Sequence, residues 1–197
     1  LDRHVAQGNG ARVAFHWEGE SGDVRTLTYS DVLDEVSKVA NGLKSLGITK
    51  GDRVTLYMPM VPELAMTVLA CSRIGAIFSV VFAGFSATSL KDRVQDQDAK
   101  AIVCADACWR RGKVLDLKTV VDEAVVECPS VENVLVWKRG SGIESVSAGT
   151  GRDVAWEDVV TPQSTLCEPV SMDAEDILFI LYTSGTTGKP KGIVHTT

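Results

Sequence analysis

The feature that most restricts the fold is an alternation. Short apolar runs of strand length repeatedly give way to segments whose apolar residues follow helical spacing. Val54 to Met58, Ile77 to Phe82, Ala101 to Ala105 and Val131 to Trp137 read as strands. Between them, Leu64 to Ile74, Ser86 or Ser89 through Val94, and Leu117 to Val126 read as helices. Pro62 suits a first helical turn, where no N–H is needed, and Glu63 complements the positive end of the dipole. This order predicts an α/β fold with a mostly parallel sheet and helices on both faces. Ahead of it, Val13 to Trp17 and Val24 to Tyr29 flank turn residues and predict a β-hairpin. Thr28 is placed to cap a helix in which Val32, Leu33, Val36, Val39, Ala40, Leu43 and Leu46 share a face, with Gly47 ending it. Glycine and serine replace this periodicity over 138–153, which predicts a surface loop, and a short helix is expected around Val154 to Val160.

Composition excludes several function classes. A net charge of −6 lacks the cationic surplus that general nucleic-acid binding requires. The charge-free segment from Ile74 to Leu90 is shorter than a bilayer span and carries glycines and hydroxyls, so it reads as core. The five cysteines, Cys71, Cys104, Cys108, Cys128 and Cys167, are odd in number and lie near apolar segments, which favours reduced thiols and a cytoplasmic setting. Cys104 and Cys108 have no second pair at metal-binding spacing. His4, His16 and His195 are scattered, with His195 expected in the core, and Trp17, Trp137 and Trp156 read as packing residues.

The most distinctive stretch follows. Ile177 to Tyr182 reads as a buried strand, and it delivers Thr183-Ser-Gly-Thr-Thr-Gly-Lys-Pro-Lys-Gly192. Gly185 and Gly188 let backbone approach a ligand. Thr183, Ser184, Thr186 and Thr187 supply hydroxyls and amides, and Lys189 and Lys191 supply charge. This is the chemistry of a polyphosphate-binding loop. The helix-based P-loop is excluded: two residues rather than four separate the glycines, and Pro190 rather than Ser or Thr follows Lys189. Lys191 to Thr197 alternates as a strand does, so a strand–loop–strand arrangement is expected. Taken singly, Thr183 could cap the strand end, and either lysine could be solvated.

Thr183 to Gly192 resembles the signature phosphate loop of the adenylate-forming superfamily, without a gap. Met58-Pro-Met-Val-Pro-Glu63, Ala70 to Gly75, Phe82-Ala-Gly-Phe-Ser86 and His195-Thr-Thr197 narrow the resemblance to the AMP-forming acetyl-CoA synthetase family and its short-chain relatives. The resemblance implies an acid-thiol ligase. A carboxylate attacks the α-phosphate of ATP, pyrophosphate leaves, and the acyl group passes from the adenylate to coenzyme A. It also implies Mg2+ as a partner of ATP, with no ligand assignable here. Thr183, Ser184, Gly185, Thr186, Thr187, Gly188, Lys189 and Lys191 would serve the ATP phosphates.

The resemblance implies a second site, for coenzyme A. Arg110, Arg111, Gly112 and Lys113 follow Trp109, and three cations within four residues suit a phosphorylated ligand with a base to stack. Arg110 and Gly112 match the family's Arg-x-Gly-Arg segment, and Lys113 stands where the family has arginine. Phe82, Ala83 and Gly84 are similar to the family's Phe-Gly-Gly against the adenine of coenzyme A, with Ala83 departing from it. On the residues alone, an exposed basic turn and a packed strand-end turn remain open.

The resemblance further implies a partial N-terminal AMP-binding domain over 1–197. The rest of that domain, a small C-terminal domain and a catalytic lysine are expected beyond residue 197, so the chain alone is expected to make no adenylate. Self-association through uncovered sheet is expected. A propionyl-CoA or other short-chain acyl-CoA synthetase, or a non-catalytic nucleotide-binding module, are the alternatives.

Overall fold

The computed structural model describes residues 1–139, 151–183 and 190–197. A short helix α1 (Asp2–His4) and a π-helical turn (Val5–Asn9) lead into the hairpin β1 (Val13–Glu18) and β2 (Val24–Thr28). Then come α2 (Tyr29–Ser45), β3 (Arg53–Tyr57), α3 (Pro62–Ile74), β4 (Ile77–Val80), α4 (Ala87–Asp96) and β5 (Ala101–Ala105). β6 (Ala107–Arg110), β7 (Lys113–Asp116), α5 (Lys118–Val125), β8 (Asn133–Trp137), β9 (Asp153–Ala155), α6 (Trp156–Val159), β10 (Ile177–Thr183) and β11 (Lys191–Thr196) complete the order.

Local chemistry explains where the helices begin. The Thr28 hydroxyl accepts the Asp31 N–H at 3.2 Å while the Asp31 carboxylate accepts the Thr28 N–H at 2.9 Å, a reciprocal capping box that opens α2. Ser86, rather than Ser89, caps α4 and accepts the N–H of Ser89. Pro62 occupies the first turn of α3, as expected.

The main sheet has seven strands in the order β11-β10-β4-β3-β5-β8-β9, and among the described pairings only β10 with β11 is antiparallel. Residues alternate between its faces. Val54, Leu56, Val103 and Leu135 join α2 and α3 in one core. Ile102, Cys104, Val134 and Val136 join α4 and α5 in the other. The α/β sheet with helices on both faces is therefore as the alternation predicts. From β3 the chain passes through α3 to β4 on one side, then returns through α4 to β5 on the other. Such a reversal opens a crevice beyond the carboxyl ends of the strands, where α/β folds bind ligands.

Several expectations need correction. β4 ends at Val80, two residues short of Phe82; the Val81 N–H still donates to the Leu56 carbonyl of β3, and the turn carrying Phe82 begins beyond it. The span from Val154 begins as strand rather than helix. Asp153, assigned above to a surface loop, starts β9, and its buried carboxylate accepts from Lys118 Nζ at 2.9 Å. Residues 140–150 of that expected loop lie outside the described residues. β10 is half-exposed rather than buried, with Ile177 and Leu181 38% and 48% exposed. Its extensive contacts are with β4 and β11, not with a covering helix. His195 is likewise only half-buried, stacked on Phe179 with ring centroids 4.3 Å apart. All five cysteines are free and buried, and burial pushes the Cys71 thiol up to about 12.

Candidate functional site

Two of the expected site segments converge on one cavity at the carboxyl edge of the sheet. The turn after β4 carries Phe82, Ala83 and Gly84. The second segment, Arg110 to Lys113, lies at the tip of an antiparallel hairpin that the strand–helix alternation does not announce. β6 and β7 pair from Ala107 with Asp116 to Arg110 with Lys113. Arg111 and Gly112 have φ values of 52° and 71°, the left-handed pair that a two-residue hairpin turn requires. Only Gly112 adopts that conformation freely. The Gly112 N–H donates to Glu20 Oε1 at 2.6 Å, tying the tip to the turn after β1.

Arg110 is brought to the Phe82 turn. Its guanidinium carbon lies 4.8 Å from the centre of the Phe82 ring, a cation–π contact. Gly84 has φ +118°, a torsion that requires glycine, and a Cβ there would stand 2.8 Å from Arg110 Nη1, so the guanidinium would have to shift off its place. Ala83 is buried and is not among the described residues with positive φ, so its methyl group is accommodated. Arg111 and Lys113 are exposed at the tip. Tyr57 braces the turn from below: its hydroxyl donates to the Phe85 carbonyl at 2.8 Å and accepts the Gly84 N–H at 3.2 Å. Burial pushes the Tyr57 hydroxyl up from its ordinary range, against the pull of that amide.

The cavity is about 320 Å³, within the range of small-molecule sites. The loops after β3, β4 and β8, the β1 turn and the β6–β7 hairpin all contribute to its walls, among them Trp17, Met60, Phe82, Trp109, Arg110 and Arg139. Sequence reasoning missed Arg139, Glu20 and Tyr57. Each acts through a contact with a distant segment, so no local pattern marks it. Trp17, read as packing, is a wall residue whose indole N–H donates to the Met60 carbonyl at 2.8 Å.

The expected phosphate loop is only partly within view. Ser184, Gly185, Thr186, Thr187, Gly188 and Lys189 lie outside the described residues. Thr183 and Lys191 are exposed and face each other as the last described pair of β10 and β11, so strands flank the segment on both sides as expected. At its base, a cleft of about 280 Å³ is lined by Arg93, Asp96, Tyr182 and Pro190, among others. The Tyr182 hydroxyl donates to Asp96 Oδ2 at 2.8 Å, and burial raises that hydroxyl well above its ordinary range, as the carboxylate does to a lesser degree. The Arg93 guanidinium, held by the Ser89 carbonyl, lies 4.9 Å from the Phe85 ring centre and 5.5 Å from that of Tyr182. One buried cation thus joins the turn of the first cavity to the strand that carries the loop.

Among the described residues no group of three or more His, Cys, Asp or Glu is arranged to hold a metal ion, and no helix is long and apolar enough to cross a membrane.

Residues 1–197 match the family described as AMP-binding enzyme. An acetyl-coenzyme A synthetase of Mycolicibacterium smegmatis is 55% identical over 197 residues, covering all of this chain and 21% of the relative. Those of Streptomyces coelicolor and Deinococcus radiodurans are 57% and 53% identical over 196 and 197 residues, again covering all of this chain and 30% of each relative. The chain therefore spans between 21% and 30% of the length of these relatives. With every residue inside the match, and with a mostly parallel sheet covered by helices on both faces, the chain belongs to the AMP-binding enzyme family.

Proposed function

We propose that the chain forms part of an AMP-forming acetyl-CoA synthetase, an ATP-dependent acetate:CoA ligase. The observation that carries this reading is the meeting of Arg110 with Phe82 and Gly84 around one cavity. Two segments distant in sequence, each similar to a coenzyme A contact of that family, form a single wall. The cation–π pair and the Trp109 and Trp17 rings suit a stacked base, and Arg110, with Arg111 and Lys113 at the tip, suits its phosphates. Coenzyme A is thus the proposed ligand of this cavity.

Thr183 to Lys191 is proposed to take the β- and γ-phosphates of ATP. The difficulty of the first step is electrostatic. A carboxylate approaches a polyanion, and pyrophosphate gathers charge as it leaves. Preorganised amides, hydroxyls and lysines lower both costs. The second step needs the thiol of coenzyme A to reach the adenylate. The shared contact of Arg93 with Phe85 and Tyr182 supports a fixed relation between the two ligand elements. Mg2+ is proposed to accompany ATP as a partner of its phosphates. Five free, buried thiols suit a reducing, cytoplasmic setting.

The complete reaction is proposed for a polypeptide of the relatives' length containing these residues. There, thioester formation with acetate, propionate and butyrate is expected to favour acetate and to release AMP and pyrophosphate. Thioester formation without ATP, or cleavage of ATP to ADP, overturns the reading. The chain alone is expected to bind without catalysing, so acetate-dependent ATP–pyrophosphate exchange by these 197 residues would contradict that part of it.

A further inference from the structure

We propose that Arg139 is a second phosphate-binding guanidinium of the coenzyme A cavity, reaching it from the end of β8. This deepens the coenzyme A reading above and rests on it.

Arg139 follows β8 and reaches the cavity from a part of the chain to which no ligand role is otherwise attached. Its backbone is fixed. The Arg139 N–H donates to Asp106 Oδ1 at 2.9 Å, and the same oxygen accepts the Ala107 N–H at 2.7 Å. Asp106 is 2% exposed, and its own N–H donates to the Trp137 carbonyl at 3.0 Å. One buried carboxylate therefore locks the start of the β6–β7 hairpin, which carries Arg110, to the end of β8, which carries Arg139. The spacing between the two arginines is set before any ligand arrives.

Among the described residues the guanidinium of Arg139 makes no ion pair and no hydrogen bond, and that of Arg110 makes only its contact with the Phe82 ring. Glu18 and Glu20 also line the cavity, but neither is within ion-pair distance of either arginine, and Glu20 accepts from Gly112. Gly19 leaves room for the arginine, since a Cβ there would come within 3.3 Å of Arg139 Nη2. Both guanidinium groups act on the buried Cys108 thiol in the cavity wall, opposing the rise that burial causes, so both positive charges converge there. A partly desolvated guanidinium with a full set of free donors binds a phosphate bidentately.

The test uses this chain, with Trp17 and Trp109 in the cavity wall as fluorescence reporters, titrated with coenzyme A and separately with ATP. Arg139→Gln is expected to weaken coenzyme A binding about tenfold, Arg139→Lys to recover part of it, and neither to change ATP binding or the thermal midpoint. Coenzyme A binding by Arg139→Gln at wild-type strength, with Arg110→Gln impaired, overturns the role of Arg139 and leaves the cavity reading standing. Equal losses for coenzyme A and ATP also overturn a direct role. A wild-type chain that binds no coenzyme A overturns the cavity reading itself, and this proposal with it.

Discussion

The Arg110 guanidinium rests on the face of Phe82, 4.8 Å from the ring centre, and Gly84 is the residue that lets it lie there. Gly84→Ala would place a methyl group 2.8 Å from Arg110 Nη1 on a backbone with φ +118°. The expected result is a loss of about 1–3 kcal/mol of stability, from the torsion, together with weakened coenzyme A binding. Urea denaturation reads the first and tryptophan fluorescence the second. Unchanged values for both would contradict the close approach.

Lys118 is buried between Asp122 and Asp153, whose bonds outweigh the effect of burial and hold its ammonium above the ordinary range. Asp153→Ala removes one partner and leaves a buried charge poorly compensated, at an expected cost of about 3 kcal/mol or more. Lys118→Met combined with Asp153→Leu is expected to cost less than Asp153→Ala alone, because no orphaned charge remains at β9. Chemical denaturation of the three proteins checks the order.

Acid should loosen the turn before β3. Asp52 Oδ2 accepts from the Thr49 N–H at 2.8 Å, the Thr49 hydroxyl at 2.9 Å and Lys100 Nζ at 3.3 Å. Burial alone would raise its carboxyl, but these partners outweigh it and hold the carboxyl below the usual range. Asp2, bonded to Arg73, is lowered too. A depressed folded value means the stabilisation is present above the unfolded value of about 4 and is lost as pH falls through the folded one. The urea midpoint is therefore expected to hold between pH 7 and 5 and to drop below about pH 4. Asp52→Asn should flatten that drop.

The β10–β11 hairpin leaves Ile177, Leu181, Ile193 and Val194 more than a third exposed, and Leu181 pairs with Ile193 across it. β11 is also an edge of the sheet among the described strands, with backbone groups open to pairing. Concentration-dependent self-association of this chain is expected in sedimentation velocity. Leu181→Lys with Ile193→Glu, an opposed pair that retains cross-strand attraction, should abolish it. A wild-type chain that stays monomeric at high concentration would contradict this.

What was legible in the sequence was whatever repeats along one segment. The α2 face and the capping threonine appear as written in the residues, and Ala101 to Ala105 is a strand at both ends. Runs too short to show a period were not legible. β6 and β7 have four residues each and β9 has three, so the basic segment read as a turn is the tip of a hairpin, and Asp153 read as loop is in a strand with its side chain buried. Burial of β10 was misjudged because apolarity reports what a strand could bury, and the partner that would cover it is not encoded in the strand. Arg110 and Phe82 were found through the segments that carry them. Arg139 was not, because its significance lies in Asp106, which sits in the bend between β5 and β6 and holds the backbone at both segments.

The β6–β7 hairpin is a separate two-stranded sheet, held at its base by Asp106 and at its tip by the Gly112 N–H to Glu20, with the Arg111 and Lys113 side chains in solvent. Such a finger is a place where charge can be changed without entering either core, so substitutions at the exposed Arg111 or Lys113 leave the packing of the sheet untouched.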